Sequence, residues 1–223
     1  AAGGGGGLGG ARHALGGAAR VEEDGGAGVV ALDARWREGF RILVITGPNT
    51  GGKTVALKTV GLLQLMFQAG LHVTAGPGSV LPITSSVYAD IGDEQSIDQS
   101  LSTFSGHVRN LAHILANADR RALVLLDELG AGTEPSEGAA LGAAILDRLR
   151  EIGSSCIVTT HLGALKEYAY SHAEVDNACV EFDPVDMKPT YRLLIGQPGN
   201  SNALVIARRF GIPREVVHCI EAH

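Results

Sequence analysis

Short apolar runs that end in polar residues recur along the chain, separated by stretches with helical spacing. Residues 41–46 (Arg-Ile-Leu-Val-Ile-Thr), 87–91 (Val-Tyr-Ala-Asp-Ile), 123–126 (Leu-Val-Leu-Leu) and 156–161 (Cys-Ile-Val-Thr-Thr-His) are of the first kind. Continuous, β-branched runs of this length predict strands buried on both faces, as in a parallel sheet. Between them, residues 55–68, 104–115 and 137–150 carry apolar positions at a 3.6-residue period. Phe104, Val108, Leu111, Ala112 and Leu115 would share one buried face; Ala140, Leu141, Ala144, Ile145 and Leu149 would form another. Ser136 is the expected cap of the third helix, which stops at Gly153. The alternation predicts an α/β fold with a mostly parallel central sheet flanked by helices.

The ends of the chain differ. Residues 1–28 are rich in Gly and Ala and poor in large apolar side chains, so a flexible segment or linker is expected. Residues 29–195 would form the main domain, with a short strand at 29–32. Residues 178–182 and 191–195 predict an antiparallel strand pair at the sheet edge. Within 196–223, a loop precedes two short helices, 203–210 and 213–222, with Pro213 suited to a helix start. A terminal helix pair with apolar faces predicts docking on a partner or subunit.

Chemistry enters at the loop after the first long strand. Gly47-Pro48-Asn49-Thr50-Gly51-Gly52-Lys53-Thr54 fits the phosphate-loop pattern G-x-x-x-x-G-K-[ST] at every position. Its glycines allow backbone N–H groups to converge on a polyphosphate, and the helix that follows adds its positive dipole end. Lys53 would reach the β- and γ-phosphates and the Thr54 hydroxyl would ligate Mg²⁺. The run at 123–126 then ends in Asp127 and Glu128. Ligands of open α/β sheets sit at the carboxyl ends of the strands, so both acids should arrive beside the loop. Asp127 would hold Mg²⁺, and Glu128 would orient and deprotonate the attacking water. His161 also ends a strand, placed to reach the γ-phosphate or that water. The polar stretch 92–105 is too hydroxylic and acidic for a core element and too long for an idle connection.

Composition narrows the class. The net charge is −6, from 18 Lys and Arg against 24 Asp and Glu, so this segment is a poor candidate for the main grip on DNA or RNA. Arg208, Arg209 and Arg214 read as a solvated face rather than a DNA contact. Trp36 and His13 read as packing residues, with adenine stacking as the alternative. Cys156, Cys179 and Cys219 are widely spaced without C-x-x-C, which fits a reduced, cytoplasmic chain. No apolar run approaches a membrane span, and the eight histidines show no metal-ligand spacing.

Four motifs in order carry a family resemblance over about residues 29–223. They are 46–54, Ser102-Thr103-Phe104, 127–133 (Asp-Glu-Leu-Gly-Ala-Gly-Thr) and Thr159-Thr160-His161. Together they resemble the ATPase domain of the MutS family. Residues 132–138 (Gly-Thr-Glu-Pro-Ser-Glu-Gly) and 196–201 (Gly-Gln-Pro-Gly-Asn-Ser) are similar to its second branch, MutS II. The resemblance implies a P-loop ATPase of the ABC-like, additional-strand class that works as a homodimer with composite ATP sites. Ser102 would occupy the signature-serine position and reach, in trans, the γ-phosphate bound by the other copy. The terminal helix pair would serve dimerisation.

The branch further implies action on branched DNA and suppression of recombination rather than mismatch reading, and in some members rescue of collided ribosomes. It places coiled-coil arms upstream and an Smr nuclease domain downstream, so nuclease activity is not expected of this segment. The expected location is the cytoplasm, at the nucleoid or ribosome. The mismatch-reading Phe-x-Glu module has no counterpart, and Val29 falls where MutS proteins carry an adenine-stacking aromatic. Two alternatives stand beside ATP-driven movement: an ATP-locked dimerisation switch with little turnover, and another ABC-type chromosome-associated ATPase.

Overall fold

The computed structural model describes residues 7–11, 32–35, 40–47, 52–76, 78–92, 100–183 and 188–199. Eight strands run in chain order: β1 Gly7–Ala11, β2 Leu32–Arg35, β3 Ile42–Thr46, β4 Val87–Asp90, β5 Leu123–Leu126, β6 Ser155–Thr160, β7 Val175–Asp183 and β8 Lys188–Ile195. Four helices interleave: α1 Lys53–Gln68, α2 Ser100–Asn117, α3 Pro135–Ile152 and α4 Gly163–Ser171.

Six strands form one sheet in the order β4-β5-β6-β3-β7-β8. All neighbours are parallel except β7 and β8. Alternation along β3 divides the core. Leu43 and Ile45 pack with Leu57, Val60 and Leu63 of α1 on one face. Ile42 and Val44 pack with Ile114 of α2, Leu146 and Leu149 of α3 and Leu165 of α4 on the other. The near-continuous apolar runs of β3, β5 and β6 follow from this, because these central strands are covered on both sides.

Several expectations are corrected. Within 1–28, read from composition as flexible, residues 7–11 form a strand antiparallel to β2. A backbone ladder needs no large side chains, so Gly and Ala are compatible with it. Of the strand expected at 29–32, residues 29–31 lie outside the described residues, and a strand runs over Leu32–Arg35. The antiparallel pair expected at the sheet edge is present as β7 and β8, but β7 starts earlier than expected. It begins at Val175 and pairs in parallel with β3, leaving β8 as the edge.

The helix faces also differ. On α2 the buried apolar residues are Leu111 and Ile114, whereas Val108 and Ala112 are exposed. On α3 they are Gly138, Gly142, Ile145, Leu146 and Leu149, with Ala140, Leu141 and Ala144 outside. Glycines set that rotation. A Cβ at Gly138 would lie 2.0 Å from the Gly130 carbonyl oxygen, and one at Gly142 would lie 2.8 Å from Leu165 Cδ1. The backbone of α3 therefore touches the turn after β5 directly. Its cap is Glu134, not Ser136. The Glu134 carboxylate accepts from the Ser136 and Glu137 N–H groups, and Pro135 takes the first helical position. The terminal helices at 203–222, and the positions of His13, Val29 and Trp36, lie outside the described residues.

Candidate active site

β6 lies between β3, which leads into the phosphate loop, and β5, which ends at the two acids. This is the interposed strand that the additional-strand class requires. The registers Thr46↔Thr160 and Leu126↔Val158 bring the carboxyl ends of all three strands to one edge.

At that edge the loop begins with Gly47 at φ 132° and ends with Gly52 at φ 85°, both in the region that favours glycine. Pro48, Asn49, Thr50 and Gly51 lie outside the described residues. Lys53 and Thr54 open α1. Lys53 is only 2% exposed, and its Nζ donates to the Gly47 carbonyl at 2.6 Å, closing the loop on itself. Burial pushes the Lys53 ammonium below its ordinary pKa, while the charges of Glu128 and Asp127 pull it back up. The lysine and both acids are thus within one electrostatic neighbourhood, as the sequence predicts.

Asp127 is buried, and its carboxylate accepts from the Thr159 hydroxyl at 2.5 Å. Thr159, on β6, also accepts from the Glu128 N–H at 2.8 Å, and its carbonyl accepts from Leu129 N–H at 2.9 Å. Glu128 has φ 50°, and it is the only non-glycine residue at positive φ among those described. The left-handed turn costs an L-residue roughly 1–2 kcal/mol. Here it redirects the chain immediately after β5, and Thr159 holds it. Thr160 adds a second clasp, donating to Leu129 O at 3.0 Å and accepting from Leu162 N–H at 3.1 Å.

His161 follows β6 and is exposed at the same edge, next in register to Gly47. Ser102 stands in the first turn of α2, a helix on the β4 side of the sheet. Among the described residues there is no group of three or more His, Cys, Asp and Glu side chains that could hold a metal by themselves.

Three contributors are given no role by the sequence reading, although Thr159 and Gly199 lie within its motifs. Thr159 is one, although the hydroxyl at the end of an apolar strand is its signal. Gly199 is the second: its N–H donates to the Thr46 hydroxyl at 2.8 Å, and Lys166 Nζ donates to its carbonyl at 3.4 Å. A Cβ there would lie 2.5 Å from Thr46 O and 2.8 Å from Gly47 Cα, so the loop after β8 presses on the start of the phosphate loop. Asp90 is the third; its carbonyl accepts from the Asp127 N–H at 2.8 Å.

A family model described as MutS domain V matches residues 43–223. The chain belongs to the MutS family. MutS domain V is a P-loop ATPase domain, in agreement with the strand order and the buried lysine. Curated relatives named Endonuclease MutS2 fix the branch. The protein from Pelotomaculum thermopropionicum is 60% identical over 189 residues, covering 85% of this chain and 24% of the relative. That from Thermomicrobium roseum is 61% identical over 188 residues, covering 84% and 24%. That from Brevibacillus brevis is 56% identical over 189 residues, covering 85% and 24%. The chain therefore spans about a quarter of the length of these MutS2 relatives. Among the described residues, no helix is long and apolar enough to cross a membrane.

Proposed function

We propose that this MutS-family module hydrolyses ATP at composite sites formed by two copies, and that closure around nucleotide moves DNA-engaging parts elsewhere in a longer chain. The observation that carries this reading is the convergence of buried Lys53 with Asp127 and Glu128 at one sheet edge. Lys53 neutralises charge on the β- and γ-phosphates. Glu128 accepts the proton of the attacking water, and His161 donates a hydrogen bond to the terminal phosphoryl group. Ser102 from the second copy completes the contact with that group. Branched DNA is the polymer the family branch favours, with the ribosome as the other partner. The acidic net charge puts the main grip outside this segment.

Mg²⁺ fits the residues present. A threonine hydroxyl and a buried carboxylate are hard oxygen donors, and Mg²⁺ is usually held by one or two carboxylates with substrate phosphates and water. Thr54 and Asp127 would hold it, and it would neutralise charge developing on the phosphoryl oxygens.

The test is hydrolysis by the full-length protein. Glu128→Gln is expected to keep ATP binding and lower kcat by about 10²-fold or more, as loss of a general base does. Unchanged turnover would remove Glu128 from the chemistry. Single-turnover hydrolysis set against ATP-dependent dimerisation separates an engine from an ATP-locked switch.

A further inference from the structure

α2 carries Ser102 in its first turn, yet the half of the helix nearest that turn is not held by the core. From 104 to 110 no described side chain is fully buried; the buried apolar anchors, Leu111 and Ile114, lie in the second half. Apart from half-buried Phe104, which lies against Gly132, what holds the first half is polar. His107 Nδ1 meets Asp90 Oδ2 at 2.8 Å, and Asn110 Nδ2 donates to Asp90 Oδ1 at 2.8 Å and to Ala89 O at 3.0 Å. Both oxygens of one buried carboxylate are thus engaged by two side chains of α2, one helical turn apart. Further along, Tyr88 OH donates to Asn117 O at 3.2 Å, so the helix lies along β4.

The same Asp90 receives the Asp127 N–H through its carbonyl. One residue therefore touches the metal-binding acid with its backbone and α2 with its side chain. The chain leaves β4 tightly over the imidazole: a Cβ at Gly92 would lie 3.2 Å from His107 Cε1. Apolar packing tolerates sliding, whereas two hydrogen bonds to a single carboxylate fix both rotation and register of the helix.

We infer that Asp90, His107 and Asn110 form a positioning bracket that sets the first turn of α2, and with it Ser102, for contact with the nucleotide held by a second copy. The bracket rests on the composite-site reading above. It acts in trans: its loss impairs the partner's site, not the nucleotide site of the chain that carries the change.

The test uses the full-length protein. His107→Ala is expected to lower kcat about tenfold or more, with ATP affinity within about twofold, as displacement of an aligned group does. Mixed with Glu128→Gln, His107→Ala is expected to regain partial activity, because the hybrid dimer then keeps one site with Glu128 and an intact α2. Ser102→Ala mixed with Glu128→Gln is the control. Rescue in the control without rescue of His107→Ala, or an unchanged kcat, overturns the bracket. Failure of the control, with dimerisation confirmed, overturns the composite site and the bracket with it. If His107→Ala does not fold, His107→Asn and His107→Gln decide. Asn sets its amide near the Nδ1 position and is expected to restore kcat; Gln, matching Nε2, is not. Equal behaviour of the two overturns the proposal.

Discussion

The Thr159 hydroxyl on β6 donates to the carboxylate of Asp127 at the end of β5, joining the strand beside the phosphate loop to the strand of the acids. The same oxygen accepts the Glu128 N–H, so one buried hydroxyl orients both acidic residues. Thr159→Val keeps the shape and removes the hydroxyl. It is expected to cost about 2 kcal/mol, the penalty for stranding buried polar groups, and to lower hydrolysis. Thr159→Ser is expected to retain most of both. Thermal unfolding and phosphate release check this, and equal behaviour of Val and Ser would remove Thr159 from the account.

Lys53 holds a charge that burial opposes. Lys53→Met removes the charge that faces Asp127 and Glu128 and the donor to Gly47 O, so the nucleotide-free protein is expected to lose about 1–3 kcal/mol, as when one partner of a buried charge cluster is removed. Stabilisation by added ATP should vanish at the same time. The pH dependence has a defined sign. The native pKa lies below 10.5, so as pH rises towards that value native Lys53 releases its proton before the unfolded chain does. Stability from this group therefore rises with pH in that alkaline window. The wild-type protein should show that rise relative to Lys53→Met in paired denaturation series; parallel curves would contradict it.

Glu128 pays for its position in backbone conformation. Glu128→Gly relieves the left-handed turn but frees the unfolded chain, so the net expectation runs from no loss to a gain of about 1 kcal/mol. Glu128→Gln should leave stability near wild type. Both abolish rapid hydrolysis. A fall in melting temperature for the glycine variant would mean that the side chain, not the turn, stabilises the segment.

Gly199 leaves no room for a methyl group against Thr46 and Gly47. Gly199→Ala must displace backbone, with an expected cost of about 1–3 kcal/mol. Because Gly47 opens the phosphate loop, ATP affinity should fall as well. Calorimetry of ATP binding checks the link, and loss of stability with unchanged affinity would confine the contact to structure.

Gly138 makes a harder clash, because a Cβ there would meet the backbone of Gly130. Gly138→Ala should be more damaging than Gly142→Ala, whose methyl meets side chains alone, chiefly the end of Leu165 and then Leu129 Cγ. Chemical denaturation of the pair ranks them.

The phosphate loop and the acids were legible because their chemistry is local: a glycine pattern between strand and helix, and two carboxylates ending an apolar run. Strand existence was legible for the same reason. Helix orientation was not. Periodicity marks apolar spacing but not which face meets the sheet, and on α3 the decisive contacts are made by Gly138 and Gly142, which carry no hydrophobic signal. α4 escaped because its two buried residues, Leu165 and Ala169, form too short a stripe. Thr159, Asp90 and Gly199 act through partners 17–153 residues away, and such pairings appear only once the fold is known.

The strand between β3 and β5 has a dimensional consequence. Neighbouring strands lie about 4.8 Å apart, so the phosphate cradle and the base stand about 10 Å apart at their strand ends. Under the function proposed above, that width is the room available for a terminal phosphoryl group and the water that attacks it. The width of β6 would, in that reading, be the ruler for the reaction.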